Sequence, residues 1–357
     1  MEKQIKQSAN FVQVVGTLAE MNFEIVEKKT NLRNFKSGKE KEVTCKVVAK
    51  KDFKNPSLLV EVSPVDEDGN IRYTAMVGIN MNEVPEFMLE EDGKQQDNPQ
   101  FKAMQTIMEE YITKKDAKEG EIPTRVMVKS ARLQPNEYVD KNTFDYKVYL
   151  PNISTYNVTS TGVPEYDIAE GNISGIIRTI TPEMKGGESE EETGRLKVEL
   201  YTFDSKGKAS PVTLIAEEDL AEQLADAYQA GDSVKLYYEV LTKQIGGAPK
   251  KTNSAFGRRG ANTVSGFTVT EYSIFNGDEK FEEEHDLYIS IDDMKEAMKQ
   301  REILIETKIK DMKEKTKDGK KSKDKTSTTG TARGGLGGRT AKAVAPKEEE
   351  QEVKDLF

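Results

Sequence analysis

The 357-residue chain has little of what most enzymes need: one cysteine, Cys45, and one histidine, His285. A lone cysteine forms no internal disulfide, which fits a reducing cytoplasm. One Cys and one His cannot build a Cys/His cluster with metal-ligand spacing. The only histidine sits in the acidic run EKFEEEHDLY, away from any Ser-His-Asp constellation. No G-x-x-x-x-G-K-[ST] run is present, so the phosphate-cradling loop of nucleotide hydrolases is missing. The glycines at 334–338 have no flanking strand or helix and read as linker. Carboxylates are plentiful, but abundance identifies no catalytic pair. The chain therefore reads as non-enzymatic, with no cofactor and no metal. No apolar run reaches eighteen residues, which excludes a membrane-spanning helix from the reading. The first residues, MEKQIKQSANFVQVVG, lack the apolar stretch of a secretion signal.

Basic excess is lacking too. The net charge is −10, unevenly spread. Residues 306–347 carry thirteen basic and five acidic side chains, residues 348–357 five acids and one lysine, which leaves residues 1–305 at −14. Such a body argues against a broad basic surface for duplex DNA, though not against a narrow basic groove.

What is present is a repeat. Residues 58–79, LLVEVSPVDEDGNIRYTAMVGI, lie without a gap over 196–217, LKVELYTFDSKGKASPVTLIAE, placing Val60 on Val198, Gly69 on Gly207 and Met76 on Leu214. Both segments alternate apolar and polar residues around a Gly-containing turn, the pattern of a β-hairpin. A strand with a central glycine precedes each hairpin, around Gly16 and Gly175. A helical stretch follows each, 98–114 and 217–231. Strands running from Val126 to Leu133 and from Val234 to Leu241 come next, and aromatic-rich strands at 143–153 and 265–275 close the copies. Strand, hairpin, helix, strand, strand is the order of an OB-fold. The fold class is therefore mainly β: two tandem OB-fold-like barrels, each with a helix between strands 3 and 4. The first barrel is expected over 1–162 and the second over 163–290. A C-terminal helix follows over 291–317, capped by Asp292 or Asp293 and preceded by a short strand, DLYISI. Residues 318–357 form a disordered basic linker and acidic tail tip. The run 42–53 is either part of the first barrel's second strand or an insertion.

An OB barrel does not say what it binds; its loops do. Single strands need cations for phosphates and flat rings for exposed bases. The strand 4–5 connection of the second copy, 243–263, carries Lys243, Lys250, Lys251, Arg258 and Arg259 around Phe256, with no acid. The strand 1–2 connection of the first copy, 27–41, carries Arg33, Phe35 and Lys36, followed by Lys50, Lys51 and Phe53. Tyr73, Tyr201 and Phe203 belong to the matched hairpins and are candidates for stacking. Arg72, Arg125, Lys129, Arg132 and Lys235 are strand cations available to phosphates. Tyr237 and Tyr238 are adjacent on a strand, so one of them belongs to the core. The corresponding loop of the second copy, 181–194, is acidic and repels a polyanion.

The C-terminal residues KEEEQEVKDLF join acids to a terminal hydrophobic pair. They resemble the tail tip of bacterial single-stranded DNA-binding proteins, with leucine where those have proline and Lys354 among the acids. That resemblance implies a partner-binding tail of Glu348, Glu349, Glu350, Asp355, Leu356 and Phe357, whose phenylalanine enters an apolar pocket ringed by cations. Two OB-like repeats with such a tail look like a single-stranded DNA-binding protein of bacteriophage or bacterial type. The resemblance implies coating of single strands in DNA replication or recombination and recruitment of partner proteins, in the host cytoplasm if phage-encoded. Stacking and phosphate contacts serve RNA as well. The alternative is a virion structural or assembly protein using β domains for protein contacts.

Overall fold

Side chains that alternate between apolar and polar set most of the strands, because successive residues of a strand face opposite sides of its sheet. The computed structural model describes residues 6–34, 36–185, 191–245 and 267–323. In chain order the strands of the first half are β1 (Asn10–Met21), β2 (Phe23–Arg33), β3 (Glu40–Lys50), β4 (Leu58–Val62), β5 (Ala75–Met81), β6 (Val84–Pro85), β7 (Phe87–Leu89) and β8 (Gln95–Asp97). Helix α1 (Pro99–Glu110), β9 (Arg125–Val139), β10 (Tyr146–Thr155) and β11 (Val158–Thr159) follow. The second half contains β12 (Ile168–Met184), β13 (Glu192–Phe203), β14 (Ala209–Ala216), α2 (Glu218–Ala227), β15 (Ser233–Ile245), β16 (Phe267–Gly277) and α3 (Ile291–Lys323).

Two rings close. In the first, β1 pairs with β4, β4 with β5, β5 in parallel with β10, β10 with β9, and β9 returns to β1. In the second, β12 pairs with β13, β13 with β14, β14 in parallel with β16, β16 with β15, and β15 returns to β12. With α1 and α2 each before the fourth strand, both are OB-fold barrels, as the element order predicts. The inward residues of β4 and β5, Leu58, Val60, Val62, Ala75, Val77, Ile79 and Met81, are all buried. Each fully buried Val, Leu, Ile or Met side chain contributes roughly 1.5–3 kcal/mol. Antiparallel pairing of β1 with β12, from Asn10↔Ile173 to Val15↔Ile168, fuses the rings. Both lie in one compact unit that ends at Met312.

The matched hairpins differ by one residue from the gapless overlay. Val60 pairs with Val77, whereas Val198 pairs with Leu214, so the inward equivalent of Leu214 is Val77. Met76 faces outward instead, because a one-residue slip moves a side chain to the other face of a sheet. The two strand-one glycines are equivalent in position. A Cβ on Gly16 would lie 2.3 Å from the Glu61 carbonyl oxygen, and one on Gly175 2.4 Å from that of Tyr201. Gly16→Ala and Gly175→Ala are each expected to cost about 1–3 kcal/mol by overpacking. In a thermal melt that lowers Tm by several degrees; an unchanged Tm would mean the strand moves aside freely.

Other sequence expectations need correction. The stretch 27–41 is no loop: β2 and β3 pair in register from Phe23↔Lys50 to Arg33↔Glu40 and form a separate three-stranded sheet with β6. The run 42–53 is thus an insertion. DLYISI is not a strand; it approaches α3 through turns, with the Ile289 N–H donating to Ser233 Oγ at 3.1 Å. Ser290 caps α3, rather than Asp292 or Asp293: its Oγ accepts the Asp293 N–H (3.1 Å) and donates to the Asp293 carboxylate (2.7 Å). The pair satisfies a helix N–H and fixes the Ser hydroxyl at once. Among the described residues no helix is long and apolar enough to cross a membrane.

Candidate nucleic-acid interface

The outward face of β4 and β5 forms the floor of a groove of about 850 Å³. Leu59, Met76, Gly78 and Asn80 line it, alternating with the inward core residues. Gly78 permits this shape: the ring of Pro56 lies where a Cβ on residue 78 would come within 3.2 Å. One wall is the segment that leaves β3. Asn22 ties it down, donating to the Asp52 carbonyl (2.7 Å) and accepting the Asp52 N–H (3.0 Å). The Asp52 carboxylate in turn accepts from the Lys54 N–H (2.9 Å) and the Asn55 amide (3.1 Å). The resulting turn leaves Phe53 76% exposed beside Lys54 on the groove. Lys50 Nζ donates to the Asn55 carbonyl (3.0 Å) and to Asn80 Oδ1. Burial holds the Lys50 amine below its ordinary pKa, and nearby Asp52 partly offsets this.

The opposite wall is β10, with Tyr149, Leu150, Pro151 and Asn152, and the groove is closed by Val269, Thr270 and Tyr272 of β16. Tyr272 donates to the Pro151 carbonyl at 2.6 Å, locking a strand of the second barrel onto the first. Tyr149 stacks on Tyr138 with ring centroids 5.5 Å apart, 10° between planes and hydroxyls 3.0 Å apart. A rigid ring of this kind suits base stacking better than a lone mobile one. Asn136 and Asn152 also line the groove and have no side-chain hydrogen bond among the described residues.

The predicted residues distribute unevenly. Lys50 and Phe53 meet in the groove; Lys51 is exposed and lines a neighbouring one with Glu20 and Lys115. Arg33 and Lys36 sit at the far end of the inserted hairpin, ion-paired with Glu40 and Glu91, both at 3.4 Å. Tyr73 is half-buried between the barrels, its ring under Arg72, which pairs with Glu239 at 2.6 Å. Tyr201 and Phe203 do point outward from the second barrel, but they are 6% and 3% exposed because Met294 and Ala297 of α3 pack over them. Stacking on these two rings is blocked in this arrangement. The expected split of Tyr237 and Tyr238 appears, with Tyr238 fully buried. Lys243 lies on β15. Phe35, Lys250, Lys251, Phe256, Arg258, Arg259 and the tail residues Glu348, Glu349, Glu350, Asp355, Leu356 and Phe357 fall outside the described residues. Little in the sequence marks Tyr138, Tyr149 and Asn80; the alternation Y-K-V-Y of Tyr146–Tyr149 is its one signal. Among the described residues no group of three or more His, Cys, Asp or Glu is placed to hold a metal.

The model of the family described as YorF matches residues 8–311. Among solved structures the chain is similar to the wild-type single-stranded DNA binding protein from Thermus aquaticus, at 11% identity over 78% of this chain and 96% of that one, with a TM-score of 0.41. It is also similar to a deletion mutant of that protein, at 12% identity over 78% and 99% of the two chains, with a TM-score of 0.39. No curated protein matches the chain.

Proposed function

We propose that this chain, which belongs to the YorF family, binds single-stranded DNA without catalysing a reaction. The observation that carries the reading is the groove on the β4–β5 face, where exposed Phe53 and stacked Tyr149 stand on opposite walls beside Lys50 and Lys54. Bases stack on the two rings, phosphates meet the two lysines, and the half-buried amides of Asn136 and Asn152 meet base edges. The end of β15 adds Lys243, and the basic connection from β15 to β16 adds Lys250, Lys251, Arg258, Arg259 and Phe256. What supports its part is its sequence and the place of β16 on the groove. The biological setting that suits such a protein is DNA replication or recombination, with the acidic tail tip recruiting partner proteins.

The test is binding of a fluorescent single strand of about 20 nucleotides, and of the matching duplex, across a salt series. The single strand should bind more tightly, and log K should fall with log salt by about 0.7 for each phosphate contact. Replacing Phe256, Arg258 and Arg259 together by alanine should weaken binding and flatten that slope while leaving the melting curve intact. Equal affinity for duplex and single strand, or none for either, refutes the reading.

A further inference from the structure

A second polar cavity, of about 330 Å³, opens on the junction of the barrels, between β9 and the β13–β14 turn. Three cations line it: Arg132 from β9, Lys208 from the turn and Lys308 from α3. None of the three side chains has an ion-pair or hydrogen-bond partner among the described residues. The two carboxylates at its edge are already engaged. Asp204 accepts the turn N–H groups of Lys206 (2.8 Å) and Lys208 (2.9 Å), and Glu137 is ion-paired with buried Arg301. Ser8 is a further, independent feature. It is 6% exposed, its Oγ accepts the Phe203 N–H at 2.9 Å, and its own O–H has no acceptor among the described residues. A buried hydroxyl with an unspent proton facing a polar cavity normally marks a site completed by something else. Unpaired cations gathered in one cavity of a chain carrying −10 overall point to an anion.

From this geometry we infer that the cavity holds a phosphate group, and that the group is a phosphodiester of the strand bound by the protein. The inference rests on the proposed function for its ligand but not for its site. The cavity shares no lining residue with the groove. It lies on the fourth strand of one barrel and the turn of the other, away from the β4–β5 face. A guanidinium offers a planar fork of donors to two phosphate oxygens, the two ammonium groups supply point charges, and the Ser8 hydroxyl supplies a neutral donor.

The experiment compares wild type with Arg132→Ala/Lys208→Ala/Lys308→Ala, and with the charge-keeping Arg132→Lys/Lys208→Arg, in the same single-strand salt series. Thermal melts with and without inorganic phosphate run alongside. The expected result is a salt slope lower by about 0.7 in the alanine variant, for the one phosphate it no longer holds, and restored by the charge-keeping variant. Identical slopes in wild type and alanine variant overturn the inference while leaving strand binding in place. If wild type binds no oligonucleotide, the proposed function fails instead. A phosphate-dependent rise in Tm that the alanine variant lacks would then assign the cavity to free phosphate and overturn its assignment to a strand. No such rise would overturn the phosphate site altogether.

Discussion

Arg301→Ala is expected to lower folding stability by about 3–5 kcal/mol, the largest loss we anticipate for a single replacement on α3. Arg301 is 7% exposed on the apolar stripe of that helix, between Met298 and Ile305. Its Nη1 donates to the Ala209 carbonyl of the second barrel at 3.1 Å, and its Nη2 to Glu137 of the first. The side chain of Glu137 is 4% exposed and also accepts from the Tyr146 hydroxyl. Burial and that hydrogen bond push the Tyr146 phenol up to about 12. Removing the guanidinium leaves a desolvated carboxylate without its cation, and the penalty comes from that orphan rather than from the net worth of the pair. Urea unfolding of wild type and variant measures it; a difference below about 1 kcal/mol would show that water reaches Glu137 freely. Adding Glu137→Gln to Arg301→Ala should restore part of the loss.

The same pair gives the pH sense. Burial alone would raise the Glu137 carboxyl, but the hydrogen bonds from Arg301 and Tyr146 and the Arg301 charge outweigh it, so its pKa is lowered in the folded state. A depressed carboxyl stabilises the fold above the ordinary glutamate range, and that contribution disappears as pH falls through the folded value. The deficit of Arg301→Ala should therefore shrink below about pH 4.

Phe53→Ala and Tyr149→Ala should each weaken single-strand binding by about 1–3 kcal/mol, or roughly 5- to 150-fold in Kd. Both rings are solvent-facing, so neither truncation opens the core. Tyr149 has the added feature of its stack on Tyr138, which orders it before any base arrives and lowers the entropic cost of binding. Tyr166→Ala is the control: Tyr166 is 59% exposed and does not line the groove, so its Kd should not change. Wild-type affinity in the double variant Phe53→Ala/Tyr149→Ala would remove the groove as a stacking platform.

The element order of both barrels was legible because it depends on local alternation and on glycine placement, and both survive in the chain without reference to tertiary contacts. Lys50 and Phe53 could be picked out by composition, but not their opposite wall. Tyr149 reaches the groove only through the parallel pairing of β10 with β5, across more than sixty intervening residues. The same remoteness hid the fate of Tyr201 and Phe203. Alternation placed them on the outward side of β13, and only the return of α3 buries them. The hairpin β2–β3 reads as a connection in the sequence because its basic, alternating residues fit a charged loop as readily as a two-sided strand pair exposed to water. Arg301 is silent in the sequence for a related reason: its partners, Glu137 and the Ala209 carbonyl, lie far away along the chain.

The pairing of β1 with β12 has an evolutionary reading. In a symmetric homodimer every substitution on a binding face occurs twice, so one face cannot be given up while the other is kept. Joining both barrels in one polypeptide lifts that constraint. Here one barrel keeps its outward face open as a groove, while the other has its equivalent face overlaid by a helix that also grips its neighbour through Arg301. Two barrels of one strand order in a single chain thus present different surfaces, one open and one closed over by a helix.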